Sequence, residues 1–130
     1  MPHPRQPVTA TGAPAAVGPY VHAVRAGGLL FCSGQVPLDP DTGELVDGPI
    51  DEQAARCLRN LQTVCAAAGA GLADAVRITV YVTDMADFAA VNEAYAAFFA
   101  DDPPARVAIG VAALPLGAAV EMDAIVALES

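Results

Sequence analysis

Three stretches of the chain, AVRITVYVT at 75–83, ARVAIGVAAL at 105–114 and AVEMDAIVAL at 119–128, are nearly unbroken runs of apolar and β-branched residues. Such runs read as strands covered on both faces, because a strand with one wet face alternates instead. Only two other segments have helical periodicity, and two helices on one side leave the other face of a sheet bare. That second face needs a partner, so a homo-oligomer packed through its sheets is expected.

The first helical pattern is DEQAARCLRNLQTVCAAAGA at 51–70. Ala54, Cys57, Leu58, Leu61, Val64, Cys65 and Ala68 recur every three or four residues and mark one buried face, while Arg56, Arg59, Asn60 and Gln62 supply most of the wet side. Acidic residues suit its first turn, and Gly69 marks its end. Asp84 caps the second helix, about 85–99, with a stripe of Phe88, Val91, Tyr95, Phe98 and Phe99, and DDPP stops it.

Ahead of both, YVHAVRAGGLLFCSG reads as a hairpin turning on its glycines, and PDTG at 40–43 as a tight turn. The last two strands read as a pair joined around PLG. The order ββαβαββ gives an α+β sandwich, one mixed sheet with the helices on one face. Residues 1–130 read as one domain, of which 1–12 is an extended arm rather than a signal peptide, since it holds three prolines and no apolar segment.

Net charge is −9, with six arginines and no lysine. Nucleic-acid binding and adhesion to anionic membranes need a basic surface, so neither is expected. No apolar run reaches the ~20 residues of a membrane span. Cys32, Cys57 and Cys65 form no CxxC pair, and His3 and His22 are far apart, so neither a zinc site nor any other metal is expected. Reduced thiols in a cytoplasmic protein are the expected state, with Cys57 and Cys65 as buried packing.

Few residues could carry chemistry. Arg106 enters an apolar strand and is either a solvent-facing arginine or a clamp for a carboxylate. Glu121 stands in AVEMDAIVA as either an edge charge or a buried acid–base group. With the turn centred near Pro115 and Leu116, Glu121 sits opposite Gly110 and on the face of Arg106, ~13 Å away along the strand. Asp123 competes for either role. Ser33 lacks a nucleophile-elbow motif, Gly34 allows close approach of a ligand, and Asn92 is solvated or a local hydrogen bonder. If 18–24 is strand, Tyr20 and His22 point the same way, as a pair or as a polar strand edge. No glycine-rich phosphate loop is present.

Taken together, APAAVGPY, LLFCSGQVPLDPDTGELV, DMADFAAVNEAYAAFF, PPAR and LPLGAAVEMDAIVAL resemble the RidA (YjgF) family of reactive intermediate deaminases, over about residues 13–128. The resemblance implies a chorismate-mutase-like α+β domain with a mixed six-stranded sheet and two helices on one face. It further implies a homotrimer around a central sheet barrel, with sites at the subunit clefts. The implied reaction is cofactor-free hydrolysis of enamines and imines, such as 2-aminoacrylate and 2-iminopropionate, to 2-keto acids and ammonia. By motif, Arg106 would hold the substrate carboxylate, Glu121 would position or activate water, and Tyr20 would line the cleft. Gly34 and the Ala108 N–H would complete a polar cradle, with Ser33 and His22 as further substrate-binding candidates.

The chain departs from the family pattern at Val21 and His22 (serine and glutamine), at Val107 and Ala108 (serine and cysteine) and at Leu116 (lysine). A carboxylate-binding or chaperone-like trimer without turnover is the alternative these departures raise. Endoribonuclease or translation-inhibitor activity, attached to some relatives, is disfavoured by the charge.

Overall fold

The computed structural model describes residues 4–129. The chain runs β1 (Gln6–Val8), β2 (Ala23–Ala26), β3 (Leu29–Gln35), α1 (Ile50–Ala67), β4 (Ala75–Val82), α2 (Phe88–Phe98), β5 (Ala105–Gly110) and β6 (Val120–Ala127). The strands form one mixed sheet in the order β1-β2-β3-β6-β4-β5. Only the β4–β5 pair is parallel, with α2 as its crossover.

Local chemistry accounts for the element ends. Gly27 and Gly28 have φ of 58° and 79° and close the β2–β3 hairpin as a two-residue loop. Gly69, at φ 78°, ends α1: its N–H donates to the Ala66 carbonyl and the Ala70 N–H to that of Cys65, a Schellman arrangement. The Asp84 carboxylate accepts from the Ala86 N–H, but the turn it caps is 3₁₀ over Met85–Asp87, and α2 begins only at Phe88.

The apolar face of α1 packs on β3 and β6 and against α2. Leu58, Leu61 and Val64 are fully buried there with Leu30, Ile78, Val80, Val82, Val120 and Val126 of the sheet. The opposite sheet face carries no helix. On it Phe31, Val107 and Ile109 are 42%, 43% and 45% exposed, and Tyr81, Glu121, Asp123 and Ile125 are half-buried. No helix among the described residues is long and apolar enough to cross a membrane.

Four expectations need correction. The arm is not merely extended: Gln6–Val8 pairs with β2 and supplies the sixth strand. Its proline is tolerated because the strand is an edge. Residues 1–3, including His3, lie outside the described residues. Residues 20–22 precede β2, so strand alternation does not relate Tyr20 to His22. Asn60 is buried rather than wet: its Nδ2 donates to the Leu38 carbonyl (2.9 Å) and its Oδ1 accepts from Arg56 Nε (3.1 Å). Finally, β5 and β6 are not a hairpin. The 111–119 connection crosses the end of β4, which lies between them and pairs with both.

Candidate active site

The corrected register separates the two strongest candidates. Glu121 lies opposite Tyr81, and Arg106 lies opposite Ile78. Directly opposed residues share a face and neighbours along a strand alternate, so Tyr81 and Ile78, three apart, point to opposite sides. Glu121 therefore stands on the helix-free face, and Arg106 and Ala108 on the helix side. The expectation that Glu121 and Arg106 share a face, with Glu121 opposite Gly110, is overturned because β4 intervenes.

Arg106 is held by α2. Its Nη1 donates to Asn92 Oδ1 at 2.6 Å, and its guanidinium carbon lies 5.2 Å from the Phe88 ring centroid and 4.9 Å from that of Tyr95. Stacking between aromatic rings suits a planar cation, and a partly committed guanidinium still has N–H groups for a carboxylate. Phe88, Asn92 and Tyr95 follow i, i+4, i+7 spacing on one helix face. That spacing was the signal available for Asn92, since an amide within an apolar stripe implies a polar partner across the interface.

Glu121 lies at a cavity of about 720 Å³ that Pro14, Ala15, Val17, Tyr20, Ser33, Gly34, Val36, Leu38, Gly43, Pro115 and Leu116 also line. Gly34 makes room for the carboxylate. A Cβ at position 34 would collide with Glu121 Oε2 and lie 3.0 Å from its Cδ, so any larger residue there would displace the carboxylate from its place. Burial first, and then the nearby Asp123 carboxylate, raise the Glu121 pKa above the usual carboxylate value. Asp123 is itself engaged, accepting from the Tyr81 hydroxyl at 2.8 Å, and that bond raises the Tyr81 pKa.

The remaining candidates divide between the cavity and its supports. Tyr20, half exposed, contributes its ring to the wall. Ser33 also reaches the cavity, but its Oγ donates to the Val21 carbonyl at 2.6 Å and its N–H to the His22 carbonyl at 3.0 Å. His22 is absent from the wall. It is 4% exposed, Nδ1 accepts from the Ala10 N–H at 2.9 Å, and Nε2 stands 2.7 Å from the Pro14 carbonyl. Leu116, one of the departures from the family pattern expected to make the cleft entrance more apolar, lines the cavity. It is 68% exposed with φ 62°, a left-handed backbone followed by Gly117 at φ 73°.

Chemically, the cavity offers one carboxylate of raised proton affinity inside a largely apolar wall, and the far side of the sheet offers a stacked guanidinium. In one protomer they do not converge.

The chain is similar to known proteins over nearly its whole length. Residues 10–128 match the family model described as Endoribonuclease L-PSP. The chain is 48% identical over 123 residues to the RutC family protein y4sK of Sinorhizobium fredii, covering 95% of this chain and 98% of that one. It is 46% identical over 121 residues to a mouse protein named 2-iminobutanoate/2-iminopropanoate deaminase, covering 93% and 90%. The crystal structure of RidA from Psychrobacter sp. PAMC 21119 superposes with a TM-score of 0.90 at 42% identity, covering 95% and 99%.

Proposed function

The chain belongs to the RidA/YjgF family, and from that premise we propose that it hydrolyses small 2-imino and 2-enamino acids to 2-keto acids and ammonia in the cytoplasm. The observation that carries this reading is the Glu121 carboxylate, seated against Gly34 in an apolar cavity with its proton affinity raised.

An iminium carbon is already electrophilic, so the protein's task is to orient a small acid and deliver water to it. Glu121 takes a proton from water as its oxygen attacks the imine carbon. The resulting carbinolamine receives that proton on nitrogen; as the C–N bond breaks and ammonia leaves, the hydroxyl oxygen becomes the carbonyl of the 2-keto acid and gives its proton to the ionised Glu121, which passes it to water. For an enamine, protonation at the β-carbon precedes these steps. A carboxylate whose proton affinity is raised by burial serves both directions of transfer better than an ordinary glutamate. Arg106 holds the substrate carboxylate with charge-assisted hydrogen bonds.

Arg106 and Glu121 occupy opposite faces of one sheet, which supports a site completed between copies. The exposed Phe31, Val107 and Ile109 give the helix-free face the apolar character such an assembly needs. A homotrimer packed through this face would place each cleft at a subunit boundary. No cofactor is required by this chemistry.

The test is to generate 2-aminoacrylate in solution and time the release of ammonia and pyruvate. Acceleration over buffer is expected, and its absence overturns the proposal. A second reading, a carboxylate-binding trimer without turnover, draws on the apolar cavity wall. Pyruvate binding that depends on Arg106, without acceleration, would favour it.

A further inference from the structure

His22 is a buried imidazole with both nitrogens committed to backbone, and it takes no part in the chemistry just proposed. The Ala10 amide is a donor, so Nδ1 must be the acceptor and Nε2 carries the proton that the Pro14 carbonyl receives. The ring thus spans the 10–14 turn, which also closes on itself through the Ala13 N–H to the Ala10 carbonyl at 3.2 Å. Ala10 and Ala13 are buried, and Gly12 packs near Thr63 of α1, where an added Cβ would lie 3.2 Å from its Cγ2. Immediately beyond this turn, Pro14 and Ala15 become wall of the cavity that holds Glu121.

We propose that His22 is a positioning residue that fixes the segment following the arm, Pro14 and Ala15, as one wall of the Glu121 cavity, and so sets affinity for the substrate side chain without touching the reacting atoms. Glu121 and Gly34 stand on the central strands β6 and β3, outside the Pro14–Ala15 segment. Loosening the wall therefore weakens ground state and transition state alike, which raises KM and leaves kcat nearly unchanged. The two ring bonds have separate consequences. The Ala10 bond pins the start of the turn. The Pro14 bond pins the residue that enters the wall, and it governs binding.

Asparagine and glutamine separate them. The amide oxygen of His22→Asn occupies the Nδ1 position and can still accept from Ala10, but it cannot reach Pro14. The amide nitrogen of His22→Gln occupies the Nε2 position and can still donate to Pro14. Hydrogen exchange at the Ala10 amide is expected to accelerate in His22→Ala and His22→Gln and to stay slow in His22→Asn. KM is expected to rise about tenfold, the worth of one net hydrogen bond, in His22→Ala and His22→Asn. It should stay near the parent value in His22→Gln, with kcat within about twofold throughout.

The kinetic half rests on the deaminase reading, whereas the exchange half does not. If the parent protein turns nothing over, pyruvate titration replaces KM, and the exchange pattern is unaffected. An Ala10 amide still protected in His22→Ala, or equal KM values in His22→Asn and His22→Gln, overturns the assignment. Should His22→Ala not fold, the asparagine and glutamine variants decide alone.

Discussion

The two faces of the sheet differ in how their polar groups are held. On the helix side, Ile78, Val80 and Val82 are fully buried against α1 and α2, and the candidate group there, Arg106, is gripped by Asn92, Phe88 and Tyr95 at the edge strand. On the other side, Phe31, Val107 and Ile109 remain more than 40% exposed and the acids are half-buried. One face has finished folding within the protomer. The other is apolar enough to require cover yet carries Tyr81, Glu121 and Asp123, which suits an interface with a site in it better than a sealed core.

The largest expected effect comes from removing the cation on the finished side. Arg106→Ala should lower kcat/KM on the order of 10³-fold, the loss of two charge-assisted hydrogen bonds, with the melting temperature little changed. Ammonia release measures the first and calorimetry the second. A variant retaining full activity would make Arg106 an ordinary edge residue.

Next in size is a test of the faces themselves. Leu61→Ala, on the sealed side, should cost about 2–5 kcal/mol through the cavity it leaves. Ile109→Asp, on the open side, should leave the protomer folded but abolish assembly, which sedimentation would detect. If Ile109→Asp leaves the assembly intact, the helix-free face is not the contact.

Glu121 gives a pH signature. Its pKa is raised in the folded protein, chiefly by burial, so the native state binds this proton more tightly than the unfolded chain. Stability from this group is full below the usual glutamate value and is lost as pH rises through the raised one. Activity runs the other way, because the base must be ionised: it should climb over that same interval. Glu121→Gln should flatten both profiles and lower kcat about 10²-fold or more. Gly34→Ala should reduce activity by displacing the carboxylate, and adding it to Glu121→Gln should cost little more, since both act through one group. The smallest effect is expected at Asn92→Ala, a few-fold rise in KM as the Arg106 guanidinium loses its 2.6 Å partner.

Much of this molecule is local in origin and was legible in the sequence. The buried stripe of α1, the Gly27–Gly28 hairpin and the stop at Gly69 follow from periodicity and from glycine's tolerance of positive φ, which neighbouring residues alone decide. Arg106, Glu121 and Gly34 stand out in the sequence as charged or small residues within apolar strands, and the resemblance to a known family suggests roles for them and for Tyr20. Tertiary structure decided what sequence spacing cannot express. It inserted β4 between β5 and β6 and so put Arg106 and Glu121 on opposite faces, because a strand's side is fixed by its register with partners far along the chain. It recruited Gln6–Val8 as an edge strand, folded Asn60 inward to bond Leu38, and turned His22 from a cavity candidate into a clasp on the arm. Each of those polar groups is explained only by a partner brought near in space, since a buried donor or acceptor goes where its hydrogen bond is.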